Sequence, residues 1–152
     1  MNKIFSLEQL GNIKLEGHIL HPKSDYGKVK YAFVALGQGG GKLALEFNRV
    51  GHYVTLFNTA QEDLLDAETK LQNIKNGNFK TTRFSGFDGA KKDRNIGIKA
   101  VRENLSVIQD HLVNDEKISE ADFVWVVAAF GGGTGSGAVT DVVRIVSSII
   151  RN

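Results

Sequence analysis

Phe130-Gly131-Gly132-Gly133-Thr134-Gly135-Ser136-Gly137 places five glycines in eight residues, between an apolar run and a helical repeat. The run, residues 123–130 (FVWVVAAF), is apolar on both faces and reads as a buried strand with Trp125 in the core. Beyond the glycines, Val139, Val142, Val143, Val146 and Ile150 recur at helical spacing. A glycine loop in this setting exposes backbone N–H groups, with no Cβ to keep a phosphate away. It also leads into the positive end of a helix dipole.

A second such loop lies upstream. Residues 29–36 (VKYAFVAL) read as a strand and run into Gly37-Gln38-Gly39-Gly40-Gly41-Lys42. Leu43, Phe47 and Val50 then repeat at helical spacing until Gly51. Residues 52–57 (HYVTLF) give another strand, and Leu64, Ala67, Leu71 and Ile74 another helix, closed by Asn76-Gly77. Residues 78–92 read as irregular and polar. Ile98, Val101, Leu105, Ile108 and Leu112 predict one long helix. Strands that alternate with helices predict an α/β fold, a Rossmann-like parallel sheet with helices on both faces. Ligands bind such sheets outside the carboxyl ends of the strands, where both glycine loops fall. Nine of the 17 glycines sit in these two loops, which points to a ligand carrying several phosphates.

Composition narrows the class. At 152 residues, 41% apolar and 24% charged, the chain suits one globular domain with a real core. With no cysteine there is no disulfide framework, thiolate metal site or cysteine nucleophile. His18, His21, His52 and His111 show no metal spacing. The longest apolar run is too short to cross a bilayer, so no membrane is expected and a cytoplasmic location fits. A net charge of +2 argues against direct binding of nucleic acid.

Two widespread phosphate motifs fit residues 37–42 only in part. A Walker A loop needs glycine where Leu36 stands and a hydroxyl where Leu43 stands. A dinucleotide fingerprint fits Gly37 and Gly39 but meets Lys42 at its third position. It also wants an acid at the end of the second strand, where this chain has Asn58-Thr59. The blander readings are a turn and helix cap at Asn58-Thr59, an ordinary turn at residues 85–90, and solvated lysines at Lys42 and along residues 79–99.

The GGGTGSG sequence at residues 131–137 resembles the signature of the tubulin/FtsZ superfamily. Gly37-Gln38-Gly39-Gly40, Asn58-Thr59 and Ser85-Gly86-Phe87-Asp88-Gly89-Ala90 resemble its other nucleotide loops. The resemblance covers residues 29–152, with residues 1–28 similar to a variable N-terminal extension. The Gly-Gln-Gly-Gly-Gly-Lys loop and Ala60-Gln61-Glu62-Asp63-Leu64 are most like the plasmid- and phage-borne TubZ branch.

The resemblance implies a GTP-binding, filament-forming GTPase that moves plasmid or phage DNA through a DNA-binding adaptor; an FtsZ-like role in cell division is the alternative. It implies that Gly131, Gly132, Gly133, Thr134, Gly135 and Ser136 wrap the α- and β-phosphates. Gly37, Gln38, Gly39 and Gly40 would approach from the first loop, with Gln38 also near the water shell of Mg²⁺. Asn58 and Thr59 would lie beneath the phosphates, and Gly86, Gly89 and Ala90 at the γ-phosphate. The magnesium ion would be held by phosphates and water, with no direct protein ligand. The central helix, hydrolysis loop and C-terminal domain are expected beyond Asn152. No catalytic acid is then expected within the chain, which would bind GTP or GDP without turnover.

Overall fold

The computed structural model describes residues 29–74 and 78–150; the expected N-terminal extension, residues 1–28, lies outside them. Four strands, β1 (Tyr31–Leu36), β2 (Tyr53–Asn58), β3 (Phe79–Arg83) and β4 (Phe123–Ala128), form one sheet of order β3-β2-β1-β4. All three pairings are parallel. The chain therefore builds outward from β1 through β2 to β3, then returns to the other side of β1 as β4. That reversal puts a switch point between β1 and β4, where such sheets open a crevice.

Alternation along the strands explains why both faces are covered. Phe33 and Ala35 of β1 and Val54 and Leu56 of β2 point to one side, where they pack with Ala44, Leu64 and Ala67. Those residues come from α1 (Gly37–Arg49) and α2 (Gln61–Asn73). Ala32, Val34, Leu36 and Phe57 point to the other side and pack with Val101, Ile108, Leu112, Val142 and Ile145. These belong to α3 (Arg94–Glu103), α4 (Leu105–Val113) and α6 (Gly133–Ile150). A short α5 (Glu116–Ser119) leads into β4.

Three sequence expectations change. Residues 79–83 are a strand rather than irregular chain, paired with β2 through Val54↔Phe79 to Asn58↔Arg83. The long helix across residues 98–112 is two helices, because Asn104 interrupts it. Its buried side chain accepts from the Ser85 backbone N–H at 2.8 Å and donates to the carbonyls of Ser85 and Ala100 at 3.0 and 2.9 Å. The side chain thus ties the helix break to the loop after β3. Finally, β4 is an edge strand of the described sheet and ends at Ala128; Trp125 is 54% exposed, not core, and Phe130 is 77% exposed.

A polar cluster sits under α4. The His111 ring lies between two hydroxyls, Thr55 Oγ1 at 2.8 Å from Nε2 and Thr82 Oγ1 at 2.9 Å from Nδ1. The buried Asp115 carboxylate accepts from the Tyr53 hydroxyl and pairs with Lys80 at 3.2 Å. Burial first, then the hydrogen bond to Asp115, pushes the Tyr53 hydroxyl well above the ordinary tyrosine range. Burial lowers the His111 pKa, outweighing the opposite pull of Asp115.

Candidate functional site

Strand register sets the site. Leu36 is level with Phe57 on one side and Ala128 on the other, and Asn58 is level with Arg83. The loops after β1, β2, β3 and β4 therefore leave one edge of the sheet together. They enclose a cleft of about 360 Å³. Two helices point their N-termini into it, α1 from Gly37 and α6 from Gly133. Neither has an acidic residue in its first turn, and the α1 start, at Leu36, has no side-chain cap. Their free N–H groups and dipoles favour an anion there.

Most of the expected site residues line this one cleft. Gly37, Gln38 and Gly39 form one wall, Asn58 and Thr59 the floor, Gly89 and Ala90 the opposite rim, and residues 131–135 the far wall. Three do not line it. Gly40 packs on the sheet, where a Cβ would meet the Val127 carbonyl oxygen at 2.6 Å. Ser136 turns its hydroxyl back into α6, donating to the Gly132 and Gly133 carbonyls. Gly86 occupies a left-handed turn (φ +83°) with open space around it.

The floor is built from hydrogen bonds. Asn58 accepts from the Thr59 N–H at 2.8 Å and donates to Asp63 at 3.3 Å, so its side chain shapes the turn into α2. The hydroxyls of Thr59 and Thr134 share a 2.7 Å hydrogen bond between floor and far wall. Gln38 donates to Asp63 at 2.9 Å. Asp63 lies in the first turn of α2, where the helix dipole favours a carboxylate. Asp63, Lys91 and Lys92 also line the cleft, and no motif in the sequence marks them as site residues. Asp63 falls in the segment that carries only the TubZ likeness, and the two lysines fall in a basic stretch of sequence.

The glycines divide by what surrounds them. A Cβ on Gly133 would meet Ala90 Cβ and the Asp93 carbonyl oxygen, both at 2.7 Å, and one on Gly135 the Leu36 carbonyl at 2.9 Å. A Cβ on Gly137 would strike Arg94 O and Ile98 N at 2.5 Å, and one on Gly97 the Gly133 carbonyl at 2.2 Å. These glycines let α3, α6 and β1 close on one another backbone to backbone. Among the described residues, no atom lies within 4 Å of such a Cβ on Gly131, and only the Ala129 carbonyl oxygen, at 3.8 Å, of one on Gly132. The protein's own packing leaves those two free. The expectation that the whole glycine run answers to a close ligand is thus narrowed to its first two residues.

The fold and cleft define a Rossmann-like α/β domain with two glycine loops at its ligand edge. No family model matches the sequence. Tubulin-like protein TubZ of Bacillus cereus is 27% identical over 128 residues, 77% of this chain and 28% of that protein. TubZ of Bacillus anthracis gives the same values. Tubulin-like protein CetZ4 of Haloferax volcanii is 32% identical over 129 residues, 76% of this chain and 31% of that protein. The chain belongs to the tubulin/FtsZ superfamily, with likeness to both the TubZ and CetZ branches. It spans roughly three tenths of the length of these relatives. Among the described residues no helix is long and apolar enough to cross a membrane.

Proposed function

We propose that this chain is the nucleotide-binding part of a tubulin-like GTPase, with GTP or GDP in the cleft. The observation that carries the reading is the pair Gly131 and Gly132. They are glycines that the packing of the described residues does not require, on the wall of a cleft already favourable to anions. A phosphate approaching their N–H groups supplies the missing reason for glycine. In this reading Gly131, Gly132 and the first turn of α6 hold the inner phosphates. Gly37, Gln38 and Gly39 close on them from the first loop. Asn58 and Thr59 support the floor, and Gly89 and Ala90 stand at the terminal phosphate.

Magnesium fits the donor set. Asp63 and Gln38 offer hard oxygen atoms at the cleft, and no group of three metal-binding side chains exists among the described residues. The ion would be held chiefly by phosphates and water, with Asp63 and Gln38 accepting from its water shell. It would neutralise phosphate charge. Asp63 is the one carboxylate on the described lining, and it already holds Gln38 and Asn58. It is therefore poorly placed to activate a water, and this chain alone binds nucleotide without turnover. Self-association into filaments, and movement of plasmid or phage DNA through an adaptor, complete the reading by likeness to TubZ.

The test is a thermal-shift titration with GTP, GDP, ATP and NAD, each with Mg²⁺. A ligand that binds only the folded state raises the melting temperature. Guanine nucleotides are expected to stabilise the protein, and a Gly131→Val/Gly132→Val variant to lose that response while keeping its unliganded melting temperature. Stabilisation by NAD in their place would overturn the proposal in favour of a dinucleotide site.

A further inference from the structure

A second pocket, of about 330 Å³, lies on the other side of Gly132 from the cleft. It shares Gly132 and Lys92 with the cleft and none of the Asn58–Thr59 floor. Arg94 at the start of α3 and Val139 and Thr140 of α6 line it, together with Phe130 beyond the end of β4.

Its lining joins two chemistries. Phe130 is 77% exposed and has no ring partner among the described residues. Val139, half-buried, adds a second apolar surface. The other half is cationic. The Arg94 Nε donates to the Ser136 carbonyl at 3.4 Å, which lays the guanidinium against α6. Its two terminal nitrogens, and the Lys92 ammonium group, have no partner among the described residues. No carboxylate lines the pocket. The acids nearest in sequence to its lining are engaged elsewhere. Asp93 caps α3 by accepting from the Asn95 N–H at 2.8 Å, and Asp141 is held between Arg102 and Arg144 at 3.8 and 3.3 Å.

We infer that this pocket docks a peptide segment of a partner protein, one in which carboxylates stand beside an apolar or aromatic side chain. A small anion would meet the cations but leave Phe130 and Val139 in water. A purely apolar ligand would cover the ring and strip water from Lys92 and Arg94 without replacing it. A segment carrying both satisfies both halves: a guanidinium pairs with a carboxylate through parallel hydrogen bonds, and the ring takes the apolar side chain. Exposed aromatic and arginine side chains set together are also the usual anchors of protein interfaces. The inference stands whatever the cleft holds.

The experiment is fluorescence anisotropy with a panel of short labelled peptides, each placing a pair of glutamates next to a phenylalanine, leucine or tryptophan. The parent protein is expected to bind members of the panel saturably. Phe130→Ser and Arg94→Gln should each weaken that binding roughly fivefold or more. Val50→Ser, at an exposed apolar position elsewhere, should leave it unchanged. Peptides with glutamine for glutamate, or serine for the apolar residue, should bind as weakly, a comparison that needs no change in the protein. The inference is overturned if no member of the panel binds, or if binding survives both Phe130→Ser and Arg94→Gln. Binding that ignores the apolar residue and is displaced by inorganic phosphate would reveal an anion subsite only, and overturn it too. So would concentration-dependent self-association, seen by sedimentation and abolished by Phe130→Ser, because the occupant would then be another copy of this chain.

Discussion

Thr59 and Thr134, 75 positions apart in sequence, join their hydroxyls at 2.7 Å across the base of the cleft. Both are buried, so each is the other's replacement for water. Replacing one by valine leaves the remaining hydroxyl buried without this partner, at a cost of about 1–2 kcal/mol. Replacing both should cost less than the sum of the single changes, by roughly 0.5–1.5 kcal/mol. Urea denaturation of the two single variants and the double variant measures this coupling.

The two classes of glycine should separate by experiment. Gly97→Ala puts a methyl group 2.2 Å from the Gly133 carbonyl oxygen, and Gly137→Ala puts one 2.5 Å from the α3 backbone. Backbone cannot step aside as a side chain can, so each should destabilise by about 1–3 kcal/mol. Gly131→Ala should stay within about 0.5 kcal/mol of the parent in stability, yet weaken nucleotide binding. Denaturation midpoints together with binding isotherms distinguish the classes.

His111 sets an acid-side dependence. Burial keeps its imidazole pKa below the ordinary value, although the Asp115 and Asp110 carboxylates pull upward while Lys80 reinforces the lowering. The unfolded chain then takes up a proton near pH 6.5, where the folded chain does not. The stability contributed by neutral His111 is therefore present above that pH, and is lost as pH falls through it toward the lower folded value. His111→Gln should flatten the stability curve between about pH 7.5 and 5. Denaturant midpoints across that range read it.

Trp125 is the only tryptophan, and it stands exposed on the edge strand. Its fluorescence in the monomer should be red-shifted and readily quenched by acrylamide. A blue-shifted, protected signal that appears as concentration rises would show that this strand becomes covered on association.

Fold class was legible because β1, β2 and β4 are apolar runs that stop at turn residues, and because the intervening stripes repeat at helical spacing. β3 was not legible. Its sequence, FKTTR, has one apolar residue, because it lies at the sheet edge and is only partly buried. The break at Asn104 was hidden because Ile98, Val101, Leu105 and Ile108 keep helical spacing across it. The cause, a buried side chain reaching Ser85, is a tertiary contact. The exposure of Trp125 is not legible either, because hydrophobicity reports a preference for burial and edge position decides whether it is met. At the site, the glycine loops announced the cleft. Asp63 and the lysine pair did not stand out, since exposed charge is commonplace and only the three-dimensional path of the loops brings these residues to the lining.

The close approach of α3 to α6 bears on how the GGGTGSG run should be read elsewhere. Gly133, Gly135 and Gly137 answer to neighbouring backbone, so a descendant of this chain that had lost its ligand would still be under pressure to spell them. Most of the run would outlive the activity it advertises. Positions 131 and 132 carry no such architectural debt, and a side chain appearing there would be the earliest written sign that the cleft had fallen out of use.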